Sequence, residues 1–71
     1  MAARVMYVKP GCPWCQAARD SMSAEGVEWE ERDATSSAEW RGELFRHSRD
    51  TGIVPTIVGP DGTTVGWEGH G

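Results

Sequence analysis

Two cysteines separated by two residues, Cys12-Pro13-Trp14-Cys15, stand directly after the apolar run Val5-Met6-Tyr7-Val8 and ahead of a stretch with helical periodicity. Two thiols at that spacing, with a strand on one side and a helix on the other, read as a redox dithiol. Cys12 falls at the helix N-cap and Pro13 at the first helical position, where its missing N–H costs nothing. The helix start aims unpaired backbone N–H groups and the positive end of the helix dipole at the Cys12 sulfur, which favours thiolate over thiol. Cys15, Ala18 and Met22 recur on one helical face, so Cys15 is expected to be the buried thiol and Cys12 the exposed one. The roles follow. Cys12 attacks a substrate disulfide, and Cys15 then displaces the substrate, aided because a sulfur stabilised as thiolate is a good leaving group.

Two rival uses of the pair are a tight local disulfide or two inert buried thiols, and a zinc site. Zinc needs further ligands, and the two histidines, His47 and His70, stand at no finger-like spacing from the cysteines. No metal is expected, and each histidine reads as an ordinary surface or partly packed side chain.

The elements that must position the dithiol are legible as an alternation. Arg4 to Val8 is a nearly continuous apolar run, the pattern of a central strand covered on both faces. The first helix extends from the Cys12 cap to Glu25 and stops at Gly26. Val27 and Trp29 alternate with Glu28 and Glu30, which predicts a second strand at a sheet edge. Ser36 or Ser37 caps a second helix that carries Trp40 and Leu44 on its packed side and ends at Gly52. Thr56-Ile57-Val58 is a third strand, Pro60-Asp61-Gly62-Thr63 a turn, and Thr64-Val65-Gly66-Trp67 a fourth strand closing a hairpin. This order predicts an α/β fold: a right-handed βαβ unit with parallel strands, followed by an antiparallel hairpin, in one four-stranded mixed sheet with flanking helices.

At 71 residues the chain is read as a single domain, residues 1–71, near the lower size limit for a stable core. Eleven acidic against seven basic residues give a formal charge of −4, without a cluster of Lys or Arg. Nucleic acid and anionic membranes are poor partners for such a surface. No apolar span reaches membrane length, and Met1-Ala2-Ala3-Arg4 leads into a strand rather than a secretory segment, so a cytoplasmic location is expected. In a reducing compartment two cysteines are there for exchange chemistry or metal rather than a stable disulfide.

The Cys-Pro-aromatic-Cys pair after the first strand, Val54-Pro55-Thr56 opening the third, and a strand pair closing near Gly66 resemble glutaredoxins over nearly the whole chain. The resemblance implies a thioredoxin-like fold and a small dithiol-disulfide oxidoreductase that reduces protein or glutathione mixed disulfides. Glutathione would be the co-substrate, with no bound cofactor and a monomeric state. It implies that Pro55 is cis and faces the dithiol, with the Val54 backbone pairing with substrate as an added strand. Proline at a strand start, without a ladder donor, agrees with that placement; the rival is a trans proline ending a loop. Lys9 matches the family's basic contact to a glutathione carboxylate, Trp14 takes the place of its usual tyrosine beside the bound adduct, and Arg41, at the start of the second helix, matches a second carboxylate contact.

Two departures qualify the match. Where glutaredoxins show a Gly-Gly pair followed by an acidic residue, this chain reads Gly66-Trp67-Glu68-Gly69-His70. Trp67-x-Gly69 resembles instead the NrdH redoxins, which are reduced by thioredoxin reductase and supply electrons to ribonucleotide reductase, so these become alternative partners. A further alternative is a non-catalytic carrier, including a glutathione-ligated iron–sulfur dimer through Cys12. Second, both families continue into a last helix packed beside the first, whereas this chain stops at Gly71, so that helix is expected to be missing or truncated. Trp29 and Trp40 are expected to help refill the core, with Trp14 and Trp67 nearer the active surface.

Overall fold

The computed structural model describes residues 3–69, and His70 lies outside the described residues. Along the chain run β1 (Val5–Val8), α1 (Pro13–Ala24), β2 (Glu30–Asp33), α2 (Ala38–His47), β3 (Thr56–Gly59) and β4 (Gly62–Val65). The sheet order is β2-β1-β3-β4. β1 pairs parallel with β2 and antiparallel with β3, and β3 pairs antiparallel with β4. With neighbours on both sides, β1 is the buried centre, and Met6, Tyr7 and Val8 all belong to the core. The expected α/β architecture is the one observed: a thioredoxin-like four-stranded mixed sheet with two helices among the described residues.

The helices lie on opposite faces. Met6 is in register with Glu31 and Tyr7 with Arg32, and side chains alternate across a strand. Glu31 meets Arg19 of α1 at 2.7 Å, whereas Arg32 and the Tyr7 hydroxyl meet Glu43 of α2 at 2.7 and 2.8 Å. Cys15, Ala18 and Met22 form the buried stripe of α1, and Leu44 is the buried residue of α2. These side chains join Val54 and Ile57 in one continuous core.

Three boundaries differ from the sequence expectation. Val27 and Trp29 are not in the second strand, because the Val27 N–H closes α1 by donating to the Met22 carbonyl at 2.9 Å while Gly26, at φ +73°, donates to Ser23. That is a Schellman closure, and ladder pairing then starts at Glu30, whose N–H donates to the Arg4 carbonyl. α2 ends at His47, not near Gly52: Arg49 adopts φ +59° in the place a glycine often fills, and the Asp50 N–H donates to the Phe45 carbonyl at 2.7 Å. β4 spans Gly62–Val65 instead of Thr64–Trp67, because Gly59 and Gly62 pair directly around a two-residue Pro60-Asp61 turn.

Trp29 and Trp40 are not buried as expected. Trp29 is half-buried, leaning on the core with its indole N–H directed to Glu31 at 3.3 Å. Trp40 stands in the first turn of α2, a full turn before Leu44, and overhangs the ends of β1 and β2 beside Lys9 and Asp33. Trp67 is half-buried and packs against the core.

Candidate active site

The dithiol sits where β1 ends and α1 begins. Cys12 is the N-cap, with extended φ −90° and ψ 110°, and its sulfur accepts a hydrogen bond from the Cys15 N–H at 3.2 Å. A sulfur thus occupies the position in which a serine or aspartate oxygen normally satisfies an orphan donor of the first turn. Pro13 follows at the first helical position and leaves no further unpaired N–H there. Both cysteines are free thiols.

Cys15 is fully buried, as expected from its helical face. Cys12 differs from expectation: it is only 9% exposed, because the segment before β3 folds over it and its thiol donates to the Val54 carbonyl at 3.9 Å. Cys12 remains the more accessible of the two. Burial pushes the Cys15 thiol up to about 12; a hydrogen bond and charge interaction with Cys12 add to this, while a backbone hydrogen bond from Lys9 and the Arg19 charge act against it.

The Val54–Pro55 peptide bond is cis, which sets aside the trans reading. Its segment is held by side-chain hydrogen bonds from below. Buried Ser48 accepts from the Gly52 N–H at 3.0 Å, the Thr51 hydroxyl donates to the Ser48 carbonyl at 2.8 Å, and the Thr56 hydroxyl donates to the Ile53 carbonyl at 2.7 Å. The Gly66 N–H donates to the Pro55 carbonyl at 2.8 Å, tying the end of β4 to the same segment.

Two depressions meet at this point. One, of about 530 Å³, is lined by Lys9, Arg41, Leu44, Phe45, Gly52 and Val54 together with small residues of the loop between β2 and α2 and of the α2 start. The other, of about 460 Å³, is lined by Lys9, Pro10, Gly11, Cys12, Pro13, Gln16 and Arg19. Lys9 borders both. The structure therefore brings Cys12, Pro13, Lys9, Arg41, Val54 and Pro55 into one region. Trp14 is exposed and lines neither depression, and Gly66 and Trp67 support the Pro55 segment and the core without lining either.

Sequence reading missed Arg19, Gln16 and Phe45. Arg19 stands four residues after Cys15, on the same side of the helix, which was the available signal. Phe45 supports Arg41, whose guanidinium lies 5.9 Å from its ring centroid. Among the described residues no group of three His, Cys, Asp or Glu side chains could hold a metal ion; His47 is stacked on Tyr7 at 5.8 Å between ring centroids. No helix among the described residues is long and apolar enough to cross a membrane.

Residues 5–63 match the glutaredoxin family model. No curated protein sequence matches the chain. Among solved structures, a point mutant of the thioredoxin-like protein BC3987 is 26% identical with a TM-score of 0.81, over 96% of this chain and 86% of that one. The glutaredoxin of Archaeoglobus fulgidus is 25% identical with a TM-score of 0.79, over 96% and 78% of the two chains. The glutaredoxin of Brucella melitensis is 30% identical with a TM-score of 0.72, over 93% and 71%. A sulfur-capped helix carrying a Cys-x-x-Cys pair, a cis-proline segment packed over it and a family match from β1 into β4 lead to one conclusion: this chain belongs to the glutaredoxin family of dithiol redox proteins.

Proposed function

We propose that the protein is a glutathione-dependent disulfide reductase in which Cys12 is the nucleophile and Cys15 the resolving thiol. The Cys12 thiolate attacks one sulfur of a substrate disulfide; a bond forms between the two sulfurs, and the other substrate sulfur leaves with the electron pair and takes up a proton. Cys15, deprotonated, then attacks the Cys12 sulfur, releases the second substrate thiolate, and leaves the Cys12–Cys15 disulfide. The substrate is reduced by two electrons and the dithiol oxidised by two. Two molecules of glutathione return the protein to the dithiol by the reverse exchange.

The observation that carries this reading is the groove that runs from Lys9 and Arg41 to the Val54 backbone beside the Cys12 sulfur. A tripeptide with two carboxylates and a thiol fits that distribution: cations at the outer wall, main-chain groups next to the sulfur, and an apolar floor of Leu44 and Phe45. Extended peptides commonly pair with exposed main chain in this way. Pro13 and Trp14 would border the bound adduct.

The test follows NADPH consumption during reduction of a mixed disulfide, with glutathione plus glutathione reductase in one arm and thioredoxin reductase without glutathione in the other. Turnover in the first arm alone is expected. Turnover only in the second would assign the protein to the NrdH-like redoxins and make Trp67-x-Gly69, adjoining the Gly66 contact to Pro55, the informative motif. A brown, iron-containing protein inactive in both arms would favour the carrier reading.

A further inference from the structure

We propose that Arg19 is a positioning residue for the resolving step: fixed by Glu31 and Gln16 in the wall of the cleft that contains Cys12, its guanidinium supplies the positive field in which Cys15 ionises. This inference rests on the dithiol reading above and adds a residue to it.

The geometry is that of a cation held in place. The Arg19 Nε donates to both Glu31 carboxylate oxygens, at 2.8 and 3.0 Å, and its Nη2 lies 2.7 Å from Glu31 Oε1. Its Nη1 donates to the Gln16 side-chain carbonyl at 3.1 Å, and Gln16 is in turn tied to Asp20 at 2.9 Å. A guanidinium clamped on two sides forgoes most of its rotamer freedom, and a planar fork keeps a fixed orientation. One helical turn separates it from Cys15 on α1. Arg19 borders the Cys12 cleft on one side and, on the other, a cleft shared with Lys9, Asp33 and Trp40.

Cys15 needs such a field. It is fully buried, so water cannot solvate its charge, and desolvation is the main obstacle to ionisation. The charged and titratable groups around it are Cys12 at the helix start, Lys9 from the preceding loop, Arg19 on α1 and, opposing the Arg19 charge, the Glu31 carboxylate of β2; Asp33 of β2 borders a cleft with Arg19 but its carboxylate is bonded to Thr35. In the free dithiol Cys12 opposes ionisation of Cys15 by hydrogen bond and by charge. In the mixed disulfide the Cys12 sulfur is covalently bonded and neutral, so both effects vanish. The Arg19 charge and the Lys9 backbone then remain against burial at the moment Cys15 must lose its proton. In that step the new bond joins Cys15 to Cys12, the bond from Cys12 to the substrate sulfur breaks, and the departing sulfur carries the electron pair.

The experiment uses stopped-flow absorbance with one equivalent of dithiodipyridine, a neutral disulfide, and the reduced full chain. The first thiopyridone release reports attack by Cys12, the second reports attack by Cys15. If Arg19→Met raises the Cys15 pKa by about one unit, thiolate falls about tenfold while its greater nucleophilicity recovers part, leaving the second phase about threefold slower relative to the first. Arg19→Lys should restore most of that ratio. Glu31→Gln keeps an acceptor for Arg19 but removes an opposing charge, so its second phase should be as fast as in the unmodified protein or faster. A salt bridge of purely structural value would slow both variants alike; that result, or an unchanged ratio in Arg19→Met, overturns the proposal. Failure of the dithiol reading looks different: the unmodified protein would then show no second release.

Discussion

The thiol of Cys12 and the carbonyl of Val54 face each other across 3.9 Å although 42 residues separate them in sequence. That contact brings the proposed nucleophile to the main chain proposed to receive its substrate, and it accounts for the low exposure of Cys12. The same carbonyl oxygen marks where an incoming strand would compete with the Cys12 thiol for a hydrogen bond.

The division of labour between the thiols predicts two different losses. Cys12→Ser should abolish all disulfide reduction. Cys15→Ser should accumulate the mixed disulfide, visible as an adduct by intact-protein mass spectrometry, and retain deglutathionylation through Cys12 with a second glutathione as resolver. Dithiol activity in Cys12→Ser would show the roles to be reversed.

The cations of the groove should act on substrate affinity. Lys9→Gln and Arg41→Gln are each expected to raise KM for a glutathionylated substrate by about two- to fivefold with little change in kcat, the range for partly exposed ion pairs. The effect should shrink as salt is raised from low to physiological levels, because exposed charges are screened. A KM unchanged in the double variant would remove the groove from substrate recognition.

Much of this site was legible because its signals are local. An N-cap, a proline at the first helical position and a helical Cys15-Ala18-Met22 stripe are all contained within one turn or two, and the Ser37 cap of α2 and the Pro60-Asp61 hairpin turn are equally short-range. The misread segments depend on competition or on distance. The Val27 alternation satisfied a strand pattern, but its N–H was claimed by the end of α1. Arg19 is held in place by Glu31, a residue on a strand across from α1 whose register no local pattern reveals. The coverage of Cys12 likewise depends on a segment that arrives only after the second helix.

Gly52 supports the groove by what it lacks. Its φ is +67°, and a Cβ there would approach the Phe45 ring to 2.7 Å, so Gly52→Ala combines a left-handed backbone cost with displacement of the ring beneath Arg41. A loss of about 2 kcal/mol is expected from the two effects, lowering Tm by about 10 °C in a domain of this size, together with an increased KM. Gly42, exposed within α2 with nothing near its missing Cβ, provides the contrast: Gly42→Ala should stabilise the helix by about 0.5–1 kcal/mol. Thermal melts of the two variants should move in opposite directions.

Burial of Cys15 also predicts how stability responds to alkali. Its pKa rises from 9.0 to about 12, chiefly through desolvation and secondarily through Cys12. A raised pKa in the folded protein means that the stabilisation is fully present below pH 9 and is lost as pH climbs toward about 12, since the unfolded chain releases the proton first. Tyr7, raised from 10.0 by burial and by its hydrogen bond to Glu43, adds a loss of the same sign that begins about one pH unit higher. Urea midpoints of the reduced protein at about pH 8, 9.5 and 10.5 separate the two contributions. Cys15→Ser should flatten the decline between the first two values, while Tyr7→Phe should flatten only the part above pH 10. An undiminished decline in Cys15→Ser would mean that the thiol ionises as readily in the folded protein as in the unfolded chain, and with that the need for a cation such as Arg19 beside it would disappear.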